Sequence, residues 1–297
     1  MSAIGRFGWI AKSCLERSVK FCSPPRALAD PFVNPSLRGD DVKESKNRIL
    51  GIDFFPGSLA DAVLEASRGG LCVAPSGPGL AGDLVKCSFY ARAVTQADLV
   101  LPDSGLMCLW SNFFARKPIR RISGLAFLRA YLFDKDVSLD DAFWVMPDQE
   151  QSEANGQWIK NELGLSIRNE AFYVAPTYGK TGPIEDLELL ERIEKRRPKT
   201  IFIQLGGGVQ ERLGFYLREN LSFSSTILCT GAALAFLSGK QARIPNWADR
   251  FYLGWFLRCL FKPTVFVPRY LKAFRLIGVL AKNGESLPEV VEPFSQT

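Results

Sequence analysis

Short apolar runs alternate with segments of helical periodicity along the chain between residues 48 and 232. Parallel neighbours in a sheet need long crossover connections, and these are usually helices. The alternation therefore predicts a mostly parallel sheet flanked by helices, a Rossmann-like α/β fold. The predicted strands are 48–54, 70–75, 97–103, 120–124, 142–147, 172–176, 200–208 and 226–232, and the predicted helices include 80–94, 105–115, 125–133, 151–163, 184–195 and 210–219.

Segments of different composition flank the predicted core, which covers residues 47–242. Residues 1–46 begin basic and amphipathic and end polar and proline-rich, which is typical of a leader and linker, either disordered or a surface helix. Residues 243–297 are predicted to form a C-terminal helical appendage. From Arg250 to Arg275 this appendage is basic, rich in aromatic residues and free of acidic residues, which indicates docking onto an anionic surface, most simply a membrane.

Composition excludes several classes of protein. The chain has 297 residues, a modest net charge of +6 and no nucleic-acid-binding motif. No apolar run reaches the roughly 18 to 20 residues that span a bilayer. Its seven cysteines show no CxxC spacing and are typical of reduced thiols in a cytosolic protein. Because the chain has no histidine, a general base near neutral pH must be a carboxylate, Lys, Tyr or Cys.

The candidate site residues follow predicted strands, because ligands of open α/β sheets bind at the carboxyl ends of the strands. Asp103 ends the apolar run ADLVLPD. It is interpreted either as the N-cap of the helix that follows or as a base or ligand for a substrate hydroxyl. The segments predicted to meet at this edge are Ala74–Gly79, Pro102–Gly105, Arg121–Gly124 and Gly206–Glu211.

Three consecutive glycines, Gly206–Gly208, separate a predicted strand from a predicted helix. Bare backbone amides at a helix N-terminus suit an anion such as a diphosphate, and a tight strand-to-helix turn is the alternative. Gln210 and Glu211 are candidates for binding a nucleotide base or ribose. The sequence DKD at 134–136 resembles a metal-binding DxD motif, and we interpret it as a solvated loop.

Several short motifs, taken in order, resemble those of the WecG/TagA/CpsF glycosyltransferase family. PDSG at 102–105 is similar to the family's PDG, and RISG at 121–124 to its R-x-[ST]-G. LGGGVQE at 205–211 is similar to LGxPxQE, and TGAALAFLSGKQARIPNW at 230–247 to GxxFDFxAGxxxRAPxW. LGWFLRCLFKP at 253–263 resembles LEWLYRLxxEP, and RYL at 269–271 matches the end of the series.

The resemblance implies inverting transfer of a sugar from a UDP-sugar donor to a polyprenyl-diphosphate-linked sugar acceptor, without a metal or other cofactor. It implies a cytoplasmic enzyme of cell-surface polysaccharide synthesis, peripheral on the inner face of the cell membrane, with no nucleic-acid partner. It is compatible with a homo-oligomer. Asp103 falls on the family's proposed catalytic base. The implied substrate-binding residues are Ser76, Arg121, Ser123, Gly124, Gly206, Gly207, Gln210, Glu211 and Arg258.

The chain departs from the family pattern at several polar positions. Ala74 and Ser76 stand where the family has Thr and Asn. Ala235, Gly254 and Val265 replace an Asp, a Glu and an Arg. These departures predict a divergent member that uses another donor sugar. The alternatives are a catalytically degenerate relative that binds or scaffolds in a polysaccharide pathway and a nucleotide-dependent oxidoreductase, against which stands the lack of GxGxxG after the first strand.

Overall fold

The computed structural model describes residues 47–239 and 274–291, together with residues 259–260, 263–264, 267–268 and 271. Its strands are β1 (Asn47–Ile49), β2 (Ile52–Phe54), β3 (Gly70–Val73), β4 (Leu99–Val100), β5 (Phe143–Met146), β6 (Phe172–Val174), β7 (Thr200–Ile203) and β8 (Thr226–Cys229). Its α-helices are α1 (Leu59–Ala66), α2 (Leu84–Lys86), α3 (Ser88–Thr95), α4 (Gly105–Phe113), α5 (Gly124–Leu132), α6 (Gln149–Leu163), α7 (Leu187–Arg196), α8 (Val209–Asn220), α9 (Ala233–Leu237) and α10 (Arg275–Asn283). A π-helix covers Gly79–Asp83 and a 3₁₀ turn covers Asn169–Ala171.

Six strands form one parallel sheet in the order β4-β3-β8-β7-β5-β6. Helices cover both of its faces, which confirms the predicted α/β class. The chain leaves β3 toward β4 at one edge, crosses to β5 and returns through β7 to β8, which lies beside β3. A change of direction of this kind leaves a crevice at the carboxyl ends of the strands, where ligands of such sheets bind.

Successive side chains of each strand enter two different buried cores, because they point to opposite faces of the sheet. Ile201 and Ile203 of β7 belong to one core. Phe202 between them belongs to the other, where it stacks on Trp144 with ring centroids 4.0 Å apart. Burial of both faces explains why the strands read as continuous apolar runs in the sequence.

Residues 48–54, predicted as one strand, form an antiparallel hairpin of β1 and β2 instead. Leu50 and Gly51 at its turn have φ values of 52° and 75°, and consecutive positive φ values reverse the chain tightly. Both N–H groups of the turn donate to the carbonyls that follow α10, those of Gly284 and Glu285. The last helix is thereby fixed to the start of the core.

Two further predicted elements differ in the structure. Residues 120–124 were predicted to be a strand and form none, because Ser123 already serves as the N-cap of α5. The helix predicted over 80–94 is interrupted at Cys87, whose extended backbone separates α2 from α3.

Helix α10 comes from the segment predicted to be the C-terminal appendage. It buries Leu276 and Leu280 completely against the core. Most of the predicted appendage, including Arg258, and the whole predicted leader of residues 1–46 lie outside the described residues. Among the helices of the described ranges, none is both long and apolar enough to cross a bilayer.

Candidate active site

The loops that leave the carboxyl ends of β3, β4 and β8 meet the start of α5 at one edge of the sheet. An ideal Cβ on Gly124 would lie 3.3 Å from the Cβ of Ala74 and 3.5 Å from the carbonyl oxygen of Thr230. Glycine at position 124 favours this close approach, because a Cβ there would require the Ala74 side chain to move by a few tenths of an ångström. Three of the four predicted segments are therefore brought together here, and the fourth, Gly206–Glu211, follows β7 on the other side of β8.

Asp103 follows β4, and its carboxylate is held by the start of α5. Its Oδ1 accepts a hydrogen bond from the backbone N–H of Gly124 at 3.1 Å and lies 3.5 Å from a guanidinium nitrogen of Arg121. Arg121 also donates from Nε to the backbone carbonyl of Asp103 at 2.8 Å. The other oxygen, Oδ2, makes no hydrogen bond to a residue of the described ranges, and 26% of the side chain is exposed. Asp103 thus has one anchored and one open carboxylate oxygen.

The interpretation of Asp103 as the N-cap of the next helix is wrong. Ser104 is the N-cap of α4, and its Oγ accepts a hydrogen bond from the N–H of Met107. Asp103 lies instead at the N-terminus of α5, where Ser123 is the N-cap and bonds the N–H of Ala126. The carboxylate of Asp103 therefore contacts the first turn of a helix that is distant from it in the sequence.

Ser76 lies half-buried in the loop after β3, and its hydroxyl accepts a 3.5 Å hydrogen bond from the N–H of Gly79. The loop touches the segment of the open carboxylate, since an ideal Cβ on Gly77 would lie 3.2 Å from Oγ of Ser104. Tyr90 lies beneath it, 1% exposed, with its hydroxyl 2.7 Å from the ideal Cβ position of Gly79. The structure therefore requires glycine at position 79 and places Ser76 beside the carboxylate segment.

Gln210 and Glu211, at the start of α8, are 2% and 1% exposed. Glu211 accepts hydrogen bonds from the N–H of Gly208 at 2.7 Å and from the amide nitrogen of Gln210 at 3.1 Å. The amide oxygen of Gln210 accepts a 2.6 Å hydrogen bond from the N–H of Gly231, in the loop after β8. The pair therefore ties the glycine turn before α8 to the neighbouring loop, whereas Gly206 and Gly207 are exposed.

Burial raises the pKa of the Glu211 carboxyl to about 7, although hydrogen bonds from Gln210 and Gly208 act in the opposite direction. The buried carboxyl of Glu211 is therefore protonated more readily than that of an exposed glutamate.

Helix α8 lies unusually close to the sheet because of Gly214. An ideal Cβ at this position would lie 2.7 Å from Sγ of Cys229 and 2.8 Å from Cδ1 of Leu71. Cys229 is completely buried, and burial raises the pKa of its thiol well above the ordinary value. This environment is that of a cysteine that contributes to packing.

Sequence reasoning missed Gln204, a buried side chain at the end of β7 that is 2% exposed. Its amide oxygen accepts a hydrogen bond from the N–H of Leu234 at 3.1 Å, and its amide nitrogen lies 3.4 Å from Oγ1 of Thr230. These contacts fix the start of α9. The signal in the sequence was a lone amide directly after a buried strand.

Arg212 was also missed, and it is 3% exposed. Its guanidinium donates to the backbone carbonyls of Gly179, Lys180, Gly182 and Gly208. The side chain thus holds the loop between β6 and α7 against the glycine turn. No pattern in the sequence connects an arginine to backbone carbonyls so far away along the chain.

Two of the positions that depart from the family pattern, Ala74 and Ala235, are buried, whereas Gly254 and Val265 lie outside the described residues. Ala74 is 6% and Ala235 is 1% exposed. In the DKD segment, Oδ1 of Asp134 accepts a hydrogen bond from the N–H of Asp136, so this carboxylate serves its own loop. No group of three or more Cys, Asp or Glu side chains within the described part of the chain is arranged to hold a metal ion. Arg258 lies outside the described residues.

Comparison with known proteins identifies one family. Residues 45–286 match the model of the "Glycosyl transferase WecG/TagA/CpsF family". This range contains each of the elements from β1 to α10, with the carboxylate of Asp103 and the turn before α8. The chain has no match among the curated proteins.

Proposed function

Because the chain belongs to the WecG/TagA/CpsF glycosyltransferase family, we propose that it transfers a sugar from a UDP-sugar to a polyprenyl-diphosphate-linked acceptor. The family makes the protein a glycosyltransferase of cell-surface polysaccharide synthesis. The observation that carries the finer proposal is the carboxylate of Asp103, with one oxygen anchored at the start of α5 and the other open. The proposed transfer inverts the anomeric configuration and needs no metal ion.

Asp103 is the proposed catalytic base. Its Oδ2 accepts the proton of the acceptor hydroxyl while the hydroxyl oxygen forms a bond to the anomeric carbon of the donor. The bond from that carbon to the diphosphate breaks, and its electron pair leaves with UDP. Attack comes from the face opposite the leaving group, so the configuration inverts. A carboxylate in this role suits a chain without histidine.

Two groups of the protein keep this carboxylate in position. The N–H of Gly124 donates to Oδ1, which leaves Oδ2 for the proposed acceptor hydroxyl. Arg121 donates a hydrogen bond to the backbone carbonyl of Asp103 and places a positive charge near Oδ1. We therefore assign Arg121 as a positioning residue.

The departing diphosphate is proposed to bind at Gly206 and Gly207, before the first turn of α8. Backbone N–H groups and the helix dipole offset negative charge there and stabilise the leaving group. The buried pair Gln210 and Glu211 shapes this turn from behind. Arg258 is proposed, from the resemblance alone, to add a further positive charge. Ser76 and Ser123 complete the proposed substrate-binding residues.

Because the proposed acceptor is lipid-linked, we also propose that the enzyme is a peripheral protein on the inner face of the cell membrane. The appendage supports this proposal, because residues 250–275 combine basic and aromatic side chains without an acidic one.

The test incubates the full chain with a panel of UDP-sugars and a short-chain lipid-diphosphate-sugar and measures the release of UDP. We expect release with one donor class, dependent on the acceptor, unaffected by a chelator, and with inverted configuration in the product. If no donor is turned over and calorimetry detects no nucleotide binding, the proposal is wrong. The catalytically degenerate relative would then be the better interpretation of the buried Ala74 and Ala235.

A further inference from the structure

An aromatic and basic surface lies at the end of helix α4. Phe113 and Phe114 are 74% and 78% exposed. Arg116, Lys117 and Arg120, in the connection to α5, are exposed as well. We call these five residues the helix-end patch. Neighbouring large rings exposed to this extent indicate a binding surface, since isolated exposed apolar residues are common but contiguous ones are not.

The turn that carries the patch is well fixed to helix α4. The hydroxyl of Ser111 donates to the carbonyl of Lys117 at 2.7 Å, and the N–H of Lys117 donates back to the carbonyl of Ser111. The N–H of Ile119 donates to Oδ1 of Asn112 at 2.7 Å. Arg116 has a φ of 54°, a conformation that a residue other than glycine adopts only when its surroundings enforce it. The rings and cations are therefore presented on a rigid support.

The charge around the patch defines its partner. The patch has three cations, and among the described residues their acidic ion-pair partner is Glu285, which pairs with Lys117, so the patch keeps a net positive charge. A second copy of the chain would bring the same cations together across a symmetric contact. The basic residues 250–275 of this chain would be repelled in the same way. A complementary partner must offer negative charge above an apolar layer, as an anionic phospholipid bilayer does.

The surface continues onto helix α10. Lys117 forms an ion pair with Glu285, directly after this helix. Phe274 and Ile277 at its start are 58% and 42% exposed. Helix α10 also follows, in the sequence, the basic aromatic residues predicted to contact a membrane.

We propose that the helix-end patch docks the protein on an anionic phospholipid surface, with Phe113 and Phe114 among the headgroups and the basic side chains at the lipid phosphates. Helix α4 has nine residues and spans about 13 Å from the patch to the segment of Asp103. Docking would hold the open carboxylate at about this distance along α4 from the lipid contact. The purpose of docking rests on the proposed function, because a lipid-linked acceptor must be met at the membrane surface.

The test measures co-sedimentation of the full chain with phosphatidylcholine vesicles that contain about 30% phosphatidylglycerol, compared with phosphatidylcholine alone. The double variant Phe113→Ser/Phe114→Ser is expected to bind about 10-fold more weakly. The variant Arg116→Gln/Arg120→Gln is expected to lose about 30-fold on the anionic vesicles, because each cation near the surface contributes to binding. Both substitutions alter exposed side chains, and circular dichroism checks that each variant is folded.

The control is Leu64→Ser/Leu187→Ser, which removes two apolar side chains that are 59% and 69% exposed on α1 and α7. It is expected to bind vesicles as the wild type does. Equal binding by the wild type and both patch variants would overturn the proposal. So would light scattering that shows the phenylalanine variant dissociating an oligomer while vesicle binding is unchanged, since a second copy would then be the partner. If the wild type binds vesicles but transfers no sugar, the proposed function is contradicted and the docking proposal still holds.

Discussion

Two carboxylates at the same edge of the sheet accept hydrogen bonds from glycine N–H groups at helix starts, and they differ in every other respect. Asp103 reaches the start of α5 from another segment, and 26% of its side chain is exposed. Glu211 belongs to α8 itself and folds back onto the N–H of Gly208, with 1% exposed. Asp103, which reaches its helix from another segment, keeps one oxygen without a hydrogen bond to the described residues, whereas Glu211, which caps its own helix, uses both oxygens internally.

This contrast separates two kinds of motif residue. Both carboxylates stand in motifs that resemble the family, PDSG and LGGGVQE. The open oxygen of Asp103 is compatible with its proposed catalytic role, whereas the hydrogen bonds of Glu211 hold the glycine turn. Substitutions at the first position should therefore affect the rate of transfer, and those at the second should affect stability.

Replacing Asp103 by Asn is the sharpest way to break the comparison. The amide oxygen can still accept from Gly124, but the side chain can no longer take a proton. We expect the rate of UDP release to fall about 1000-fold, as for the loss of a general base, with the free energy of unfolding changed by no more than about 1 kcal/mol.

The control for this variant is Asp134→Asn, in a loop where the carboxylate bonds only its own backbone neighbour Asp136. Its rate should equal that of the wild type. UDP release by Asp103→Asn at the wild-type rate would show that Asp103 is not the base.

Glu211→Ala should act on stability. The substitution leaves the N–H of Gly208 and the amide of Gln210 without their acceptor and opens a cavity beside them. We expect the free energy of unfolding, measured with urea, to fall by about 3 kcal/mol. Glu188→Ala is the matched control, because this glutamate is 64% exposed in an ion pair with Arg192 and should contribute at most about 0.5 kcal/mol. Equal losses in the two variants would contradict the structural role of Glu211.

The pH dependence of stability tests the burial of Glu211 directly. The folded protein holds this proton up to about pH 7, whereas the ordinary pKa of the group is 4.5. Between pH 4.5 and 7, Glu211 ionises in the unfolded chain but stays protonated in the folded protein. Ionisation stabilises the unfolded chain, so the free energy of unfolding falls by about 3 kcal/mol over this range. Below pH 4.5 both states are protonated and the loss is absent.

Glu211→Gln cannot titrate and isolates this contribution. Between pH 4.5 and 7.5, the free energy of unfolding of the wild type should therefore fall by about 3 kcal/mol relative to that of Glu211→Gln. Denaturation in urea at several pH values measures it. A difference that does not change with pH would mean that the carboxyl is ionised in the folded protein throughout.

The sequence predicted the sheet well because the information is local. Buried parallel strands read as apolar runs, and seven of the eight predicted runs contain strand residues. It was wrong at residues 120–124, where an apolar residue between polar ones suggested a strand. There the N-cap of α5 and the grip of Arg121 on Asp103 determine the conformation. Contacts between segments that are distant in the sequence produce no periodic pattern, so the sequence does not predict them.

The candidate site shows the same limit. Asp103 was identified because it ends a strand, but its partner Gly124 and the true N-cap Ser104 were visible only in three dimensions. The buried contacts of Glu211 and Arg212 were not predicted, since exposure of a charged side chain is the ordinary expectation. The motifs thus located the edge of the sheet, and the hydrogen bonds distinguished the residues on it.

The smallest expected effect concerns Arg121, which contacts Asp103 but could serve either catalysis or the stability of the fold. Arg121→Lys keeps a positive charge near Oδ1 of Asp103 but loses the 2.8 Å hydrogen bond from Nε to the backbone carbonyl. If the arginine positions the base, kcat should fall about 10-fold with little change in KM, because the misplaced carboxylate impairs the chemical step and not donor binding. The kcat of Arg121→Gln should fall further, since this substitution also removes the charge. The control Lys135→Gln, in an exposed loop, should have the kcat and KM of the wild type. A rise in KM at constant kcat would instead assign Arg121 to substrate binding. An unchanged rate with a lower free energy of unfolding would give Arg121 a structural role like that of Glu211.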